Sequence, residues 1–457
     1  MVCNLFVFRF KTGNRAEVWY DMGFGFVSEL EVRGGRRLEG TLMLQGSKNS
    51  ALPIMAATLL LDGETLLEDC PDILDVREML AIINGVGGCN EETGCCFTGE
   101  GLRLFHNRID GVPDYESCMR FRASSILMGA LLATAGFFAM PYPGGCKIGR
   151  RPLDYHIEGF KALGARVEEK DGMLVGYAGQ LKGGFYRFPY PSVGALENLL
   201  LAAVKADGES VFENCAREPE IVDLCDFLIK AGASVDGAGT DTIRVKGAKR
   251  LNGIRYRIPG DRIVAGTYMA ACAIAGGNVR LGNIEPGRLD CITDILKKTG
   301  CHVFTDGRIN EIIIMSDGRR KAVNYLETGP YPGFSTDMQP QMMALAAFSI
   351  GSCRIKDRVF ESRYRTAWEL EKLGADVGTD GDSVIITGRE SLHGGVVNAT
   401  DLRCGAALVI AALGIHGKTV ITDCAYIMRG YEDIQRDLEQ LGADILWRIK
   451  EENAGNR

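Results

Sequence analysis

One thiol in this chain stands among cations. The segment Pro143–His156 reads P-G-G-C-K-I-G-R-R-P-L-D-Y-H, so Cys146 is followed at once by Lys147, Arg150 and Arg151. Neighbouring cations favour the thiolate and also attract an anion, which makes a reactive thiol beside an anion-binding patch. Gly144 and Gly145 give the turn ahead of the thiol free backbone dihedrals. Asp154 and His156 follow, spaced to lie near each other if the segment runs on into a helix. Taken alone, a surface loop with incidental charge accounts for the same residues equally well.

A second set of polar residues opens runs of small and apolar ones. The openers are Ser47-Lys48-Asn49, Arg120-Phe121-Arg122, Ser192, Asp261-Arg262, Thr336-Asp337 and Thr400-Asp401-Leu402-Arg403. Ser, Thr, Asp and Asn are ordinary helix N-caps. Capping does not account for Lys48, Arg122, Arg262 and Arg403, because a cation at a helix N-terminus opposes the helix dipole. An anion sharing the exposed N–H groups would reconcile them. Arg363 and Arg429 fall at loop-to-helix junctions in corresponding places, whereas Arg365 reads as a solvated or structural arginine.

The elements that must position these groups repeat. The runs Ser50–Leu61, Ala123–Ala135, Gly194–Ala206, Ile263–Ala275, Gln339–Ile350 and Leu402–Leu413 are apolar nearly all round, which predicts helices buried on every side. Between them recurs a helix end followed by Leu-Gly-Ala or a relative, with its glycine at 87, 164, 232, 300, 374 and 442. The gaps are 77, 68, 68, 74 and 68 residues. Each glycine is expected to cap an amphipathic helix, such as Ile221–Ala231, ahead of an alternating strand. Each unit thus reads helix–strand–helix–strand–strand. Six such units suggest two α/β domains of three units, with buried helices at the centre and sheets around them.

Composition narrows the class. The 457 residues suggest two to three domains on a prior of roughly 100–200 residues each. A net charge of −7 without like-charge runs gives no case for nucleic acid. No apolar run reaches the roughly 18–20 residues that span a bilayer, so no membrane insertion is expected. Fifteen scattered cysteines with no C-x-x-C point to free thiols in a reducing cytoplasm. Five dispersed histidines never fall at metal-ligand spacing with them, so no metal is expected. Residues 1–25 fit a signal peptide poorly and read as an extension of unknown role.

Taken in order, Gly46–Pro53 (GSKNSALP), the Pro143–His156 loop, Pro191–Ala195 (PSVGA), Tyr331–Gln341 (YPGFSTDMQPQ), Thr400–Arg403 and Arg429–Glu432 (RGYE) resemble the enolpyruvyl transferase family. Within it they are most similar to the members acting on UDP-N-acetylglucosamine, from about Leu30 to Ile445. The resemblance implies two inside-out α/β barrel domains with a cleft between them: 26–47 plus 262–457, and 48–261 carrying the Cys146 loop. It implies transfer of an enolpyruvyl group from phosphoenolpyruvate to the 3-hydroxyl of UDP-N-acetylglucosamine, the first committed step of peptidoglycan synthesis. Both substrates are small molecules, no cofactor or metal is implied, and the chain would be a monomer or weak homo-oligomer.

Carried over by position, Cys146 would supply the proton to phosphoenolpyruvate and Asp337 would take the one from the sugar hydroxyl. Lys48, Arg122, Arg151, Arg363, Arg403 and Arg429 would hold phosphoenolpyruvate, with Asn49 at the reacting centre or sugar. Arg151, Pro152, Leu153, Asp154, Tyr155, His156, Ser192, Val193, Gly194 and Val359 would line the UDP-sugar pocket, which Asn49, Arg122 and Asp337 would also touch. Ala130, Thr134, Tyr190, Leu196 and Ser335 depart from the family's usual residues. The alternative is an impaired or regulatory paralogue that binds UDP-sugar without turnover.

Overall fold

Six helices are apolar on every side and each is buried: Lys48–Thr58 (α1), Leu127–Thr134 (α2), Val193–Ala203 (α3), Arg262–Ala275 (α4), Gln339–Ala347 (α5) and Leu402–Leu413 (α6). In α6 every residue is buried, as a helix without a polar face requires. The computed structural model describes residues 7–12, 16–21, 27–87, 95–144, 152–318, 320–360 and 363–450. Four helices are shorter than their apolar runs, α2 and α5 by the most, while α1 and α3 stop three residues early at Thr58 and Ala203. Ahead of α2, residues Arg122–Ile126 form a 3-10 turn instead. There the Ser124 and Ser125 hydroxyls donate to the carbonyls of Cys118 and Arg122, an alternative to regular helix. Helix α5 stops at Ala347, where Ser349 Oγ donates back to Leu345 O and Gly351 follows at φ +106°.

The chain divides into two compact units. A terminal unit holds residues 1–44, 262–329 and 334–457, and a central unit holds 45–261 and 330–333. Helices α1, α2 and α3 lie in the core of the central unit, and α4, α5 and α6 in that of the terminal unit. Around each core run sheets of one recurring pattern. In the central unit Thr65–Glu68 pairs parallel with Arg255–Arg257 and antiparallel with Gly101–Leu104, and Cys96–Thr98 pairs with the latter. Short parallel strands precede α3, α4, α5 and α6 and were not foreseen from the sequence; three residues such as Arg255–Arg257 are too few to show a period.

Residues near the N-terminus complete two sheets of the terminal unit. Val27–Arg33 lies between Lys418–Thr422 and Asp444–Lys450, antiparallel to both, and Leu38–Met43 pairs parallel with Gly277–Gly282. One sheet of the central unit has three strands, in the order Phe137–Pro141, Met173–Tyr177, Arg166–Lys170. Where a fourth would lie, the chain passes with a bond from Ala139 N to Gly111 O, and Pro113 nearby supplies no N–H for a ladder. The extension contains an antiparallel hairpin of Val7–Thr12 with Ala16–Asp21.

Five of the six repeat glycines take the left-handed conformation of a helix cap: Gly164, Gly232, Gly300, Gly374 and Gly442, at φ from +83° to +110°. Gly87 does not, at φ −83°. What excludes a side chain there is space, since Nδ1 of His106 stands 2.7 Å from where its Cβ would be. Among the described residues every cysteine is a free thiol, and only Cys96 and Cys291 are not fully buried. No helix of the described residues is long and apolar enough to cross a membrane.

Candidate active site

In the terminal unit a carboxylate sits between two guanidinium groups. Asp337 lies in the 3-10 turn Thr336–Met338 that leads into α5, and Ser335 Oγ accepts from its backbone N–H at 3.3 Å. Arg403 is the second residue of α6, whose N-cap Asp401 accepts from the N–H groups of Arg403 and Cys404. Asp337 Oδ2 accepts from Arg403 Nη2 at 2.6 Å, and Oδ1 meets Arg363 Nη2 at 2.9 Å. Both arginine side chains are only 5% exposed, while Asp337 keeps 23%. The arrangement offers an acceptor for a proton and a cationic seat for an anion on one face of two helix N-termini.

A further carboxylate organises this cluster. Asp357 Oδ2 accepts from Thr336 Oγ1 at 2.6 Å, and that hydroxyl accepts from Arg363 Nη1 at 2.8 Å. Asp357 Oδ1 accepts from Thr328 Oγ1 and from the N–H groups of Val359 and Phe360. The Val359 backbone is thereby tied to the turn that carries Asp337. The Phe360 ring lies 5.1 Å from the Arg363 guanidinium carbon, stacking a cation on an aromatic face. Arg429 ends the 3-10 turn Cys424–Arg429, and the Cβ of a residue at Gly430 would stand 2.8 Å from Leu402 Cδ2, so Arg429 is carried beside the start of α6.

In the central unit Ser47 caps α1 and Ser192 caps α3, accepting from the N–H groups of Ser50 and Ala195. The Lys48 ammonium pairs with Asp75 at 3.1 Å, both side chains largely buried, and the Lys48 N–H donates to Asp261 Oδ2. Asn49 follows Lys48 in the first turn of α1. Arg122 Nη1 donates to Pro143 O at 3.2 Å. Asp154, Tyr155 and His156 form the first turn of helix Asp154–Ala162, just after Pro152 and Leu153. Val193 and Gly194 form the first turn of α3, and Gly194 lies next to the His156 ring.

Two sequence expectations change in detail. The anion that the helix-dipole argument calls for beside Lys48 and Arg403 is supplied by the protein itself, as Asp75 and Asp337. A ligand anion must therefore share or exchange these cations with a carboxylate already seated there. Asp75, Asp357 and Asn198 were missed, because each acts through a partner distant in sequence and carries no local motif. Cys146 and Arg151 lie outside the described residues. Burial pushes Cys118 up to about 11 and Cys353 up to about 12, away from the thiolate.

Residues 32–438 match the family described as EPSP synthase (3-phosphoshikimate 1-carboxyvinyltransferase). The chain belongs to this enolpyruvyl transferase family. A Symbiobacterium thermophilum member named UDP-N-acetylglucosamine 1-carboxyvinyltransferase 1 is 43% identical over 91% of this chain and 94% of its own. A Corynebacterium jeikeium member named UDP-N-acetylglucosamine 1-carboxyvinyltransferase is 42% identical over 91% of this chain and 97% of its own. Among solved enolpyruvyl transferases, NikO from Streptomyces tendae superposes with a TM-score of 0.81 at 24% identity, covering 93% of this chain and all of that one. EPSP synthase from Acinetobacter baumannii gives 0.70 at 19% identity over 92% of this chain and 100% of that one. These structures share the two-domain inside-out α/β fold of the family.

Proposed function

We propose that this chain transfers the enolpyruvyl group of phosphoenolpyruvate to the 3-hydroxyl of UDP-N-acetylglucosamine, releasing phosphate, as the first committed step of peptidoglycan synthesis in the cytoplasm. The observation that carries this reading is the Asp337 cluster: a carboxylate between two nearly buried guanidiniums at the mouths of two helices. It stands in a chain whose relatives over nine-tenths of its length are carboxyvinyltransferases. Addition of a hydroxyl to an enol phosphate needs a base for the hydroxyl, an acid for the methylene and cations for the phosphate and carboxylate.

In the addition step the sugar 3-oxygen bonds to C2 of phosphoenolpyruvate. Its proton passes to Asp337, and a proton from Cys146 reaches C3, leaving a tetrahedral phospholactoyl ether. In the elimination step C3 loses a proton, the double bond re-forms and the C2–O bond to phosphate breaks. Lys48, Arg122, Arg151, Arg363, Arg403 and Arg429 hold the phosphate and carboxylate. Asn49 contacts the sugar or the reacting centre. Arg151–His156, Ser192–Gly194 and Val359 line the UDP-sugar pocket. The enzyme works as a monomer or weak homo-oligomer, and fosfomycin, an epoxide phosphonate, is expected to act on it through Cys146.

The test is phosphate release by the purified protein. It is expected only when phosphoenolpyruvate and UDP-N-acetylglucosamine are both present. Tight UDP-N-acetylglucosamine binding with no release at any enzyme concentration would instead favour a binding paralogue.

A further inference from the structure

Asn198 is fully buried in α3 and its amide orientation is set by backbone groups. Oδ1 accepts from Gly129 N at 2.7 Å, and Nδ2 donates toward Ser125 O at 3.0 Å and Gly194 O at 3.1 Å. A flipped amide would set its donors against an N–H and its carbonyl against two carbonyls, so the orientation is unambiguous. The same Nδ2 lies 3.1 Å from His156 Nδ1. The amide has two protons for these three acceptors, so one is shared; a proton on Nδ1 would face the amide donors, which favours Nδ1 as acceptor with the ring proton on Nε2.

The other edge of the ring points elsewhere. Among the described residues, no group accepts from His156 Nε2. His156 is buried, and a side chain at Gly194 would begin 3.6 Å from Cε1 and 3.8 Å from Nε2, so glycine at the first turn of α3 keeps a methyl group off this edge. Burial and the nearby Arg122 charge both hold the ring neutral, down to about 3.

We propose that Asn198 is a positioning residue that locks His156 as the neutral Nε2–H tautomer, presenting a single N–H donor to an acceptor oxygen of the sugar nucleotide. This rests on the assignment of His156 to the UDP-sugar pocket. The requirement accounts for Asn198, one of two buried polar residues, with Glu197, in the middle of a mostly apolar helix. It also explains the close packing of α2 on α3, where a Cβ at Gly129 would stand 2.1 Å from Asn198 O.

The test is ¹⁵N NMR of the full chain labelled in histidine, with the His156 signals assigned by their loss in His156→Gln. The expected result is a pyridine-like Nδ1 and a pyrrole-like Nε2, with Nε2 shifting on addition of UDP-N-acetylglucosamine. In Asn198→Asp the carboxylate accepts where Nδ2 donated, so the proton should move to Nδ1. The KM for UDP-N-acetylglucosamine should then rise about tenfold, as loss of one ligand hydrogen bond gives, with the KM for phosphoenolpyruvate held. Combining this change with His156→Gln should add little further. A protonated Nδ1 in the unsubstituted protein, an Nε2 unmoved by saturating nucleotide, or additive effects in the double variant would each overturn the proposal. Should Asn198→Asp not fold, the two measurements on the unsubstituted protein still decide it. Absence of phosphate release from a protein whose Nε2 responds to nucleotide would count against the reaction and not against this role.

Discussion

Asp337 and Arg403 stand 66 residues apart in the chain and meet at 2.6 Å, Oδ2 to Nη2, with Arg363 closing the other side of the carboxylate. The pair does two jobs at once. It neutralises cations that would otherwise be costly so deep in the terminal unit, and in the proposed reaction it places a proton acceptor where the same cations seat a substrate anion.

Replacing that carboxylate should separate the two jobs. Asp337→Asn keeps the shape but removes the charge and the base, and kcat should fall about 10²–10⁴-fold. Stability should fall by about 1–2 kcal/mol, less than for a fully buried pair because Asp337 is 23% exposed. Phosphate or sulfate should raise the Tm of this variant more than that of the unsubstituted protein, since an anion can take the vacated place. Thermal melts with and without phosphate measure this, and equal shifts in the two proteins would contradict the shared seat.

Cys146 can be tested through its chemistry alone. Fosfomycin should add to it covalently, and Cys146→Asp should retain turnover while escaping the drug, because a carboxyl can still deliver a proton. Intact-mass spectrometry and phosphate release report the two halves. An adduct persisting in Cys146→Ala would place the reactive thiol elsewhere.

The pH dependence of stability should reveal His106. Burial holds it neutral, lowered from 6.5 to about 4. Thr58 Oγ1 gives its own proton to Met55 O, so at 3.0 Å it accepts from His106 Nε2. Because the unfolded chain binds this proton at higher pH than the folded one, the stabilisation is complete above about pH 6.5 and is lost as pH falls toward about 4. The full window amounts to about 3 kcal/mol at about 1.4 kcal/mol per pH unit. Urea unfolding at pH 7.5 and 4.5 should show a smaller difference in His106→Gln than in the unsubstituted protein. An identical difference would assign the acid sensitivity to other groups.

Two helical glycines should respond oppositely to alanine. At Gly129 the new Cβ would meet the Asn198 backbone oxygen at 2.1 Å, and the helices α2 and α3 cannot separate without losing core contact. A loss above about 3 kcal/mol is expected, as for severe overpacking. Gly85 is exposed in helix Leu74–Val86 with nothing near its would-be Cβ, so Gly85→Ala should stabilise by about 0.5–1 kcal/mol. Denaturant midpoints measure both. Equal effects would remove the packing argument.

The buried helices were legible because a helix apolar on every side has no other place to go, and the repeat was legible because five of its glycines meet a backbone need that only glycine meets cheaply. Gly87 was matched on pattern but serves His106 instead. The short parallel strands were invisible, since three residues pair through register set by distant neighbours. Of the candidate site, Asp337 and the arginines around it were legible, because their motifs are local. Asp75, Asp357 and Asn198 were not, because a carboxylate or amide that orients another side chain looks in sequence like any surface polar residue. Their roles exist only once the fold brings Lys48, Thr336 and His156 to them.

The most direct test of enolpyruvyl transfer follows the reaction in D₂O by ¹H and ³¹P NMR. Addition makes C3 a methyl group for one step, so the returning vinyl ether should carry deuterium and form one-for-one with inorganic phosphate, only when both substrates are present. Phosphate released from phosphoenolpyruvate alone, or a mixture in which no vinyl ether of UDP-N-acetylglucosamine appears, would contradict the account.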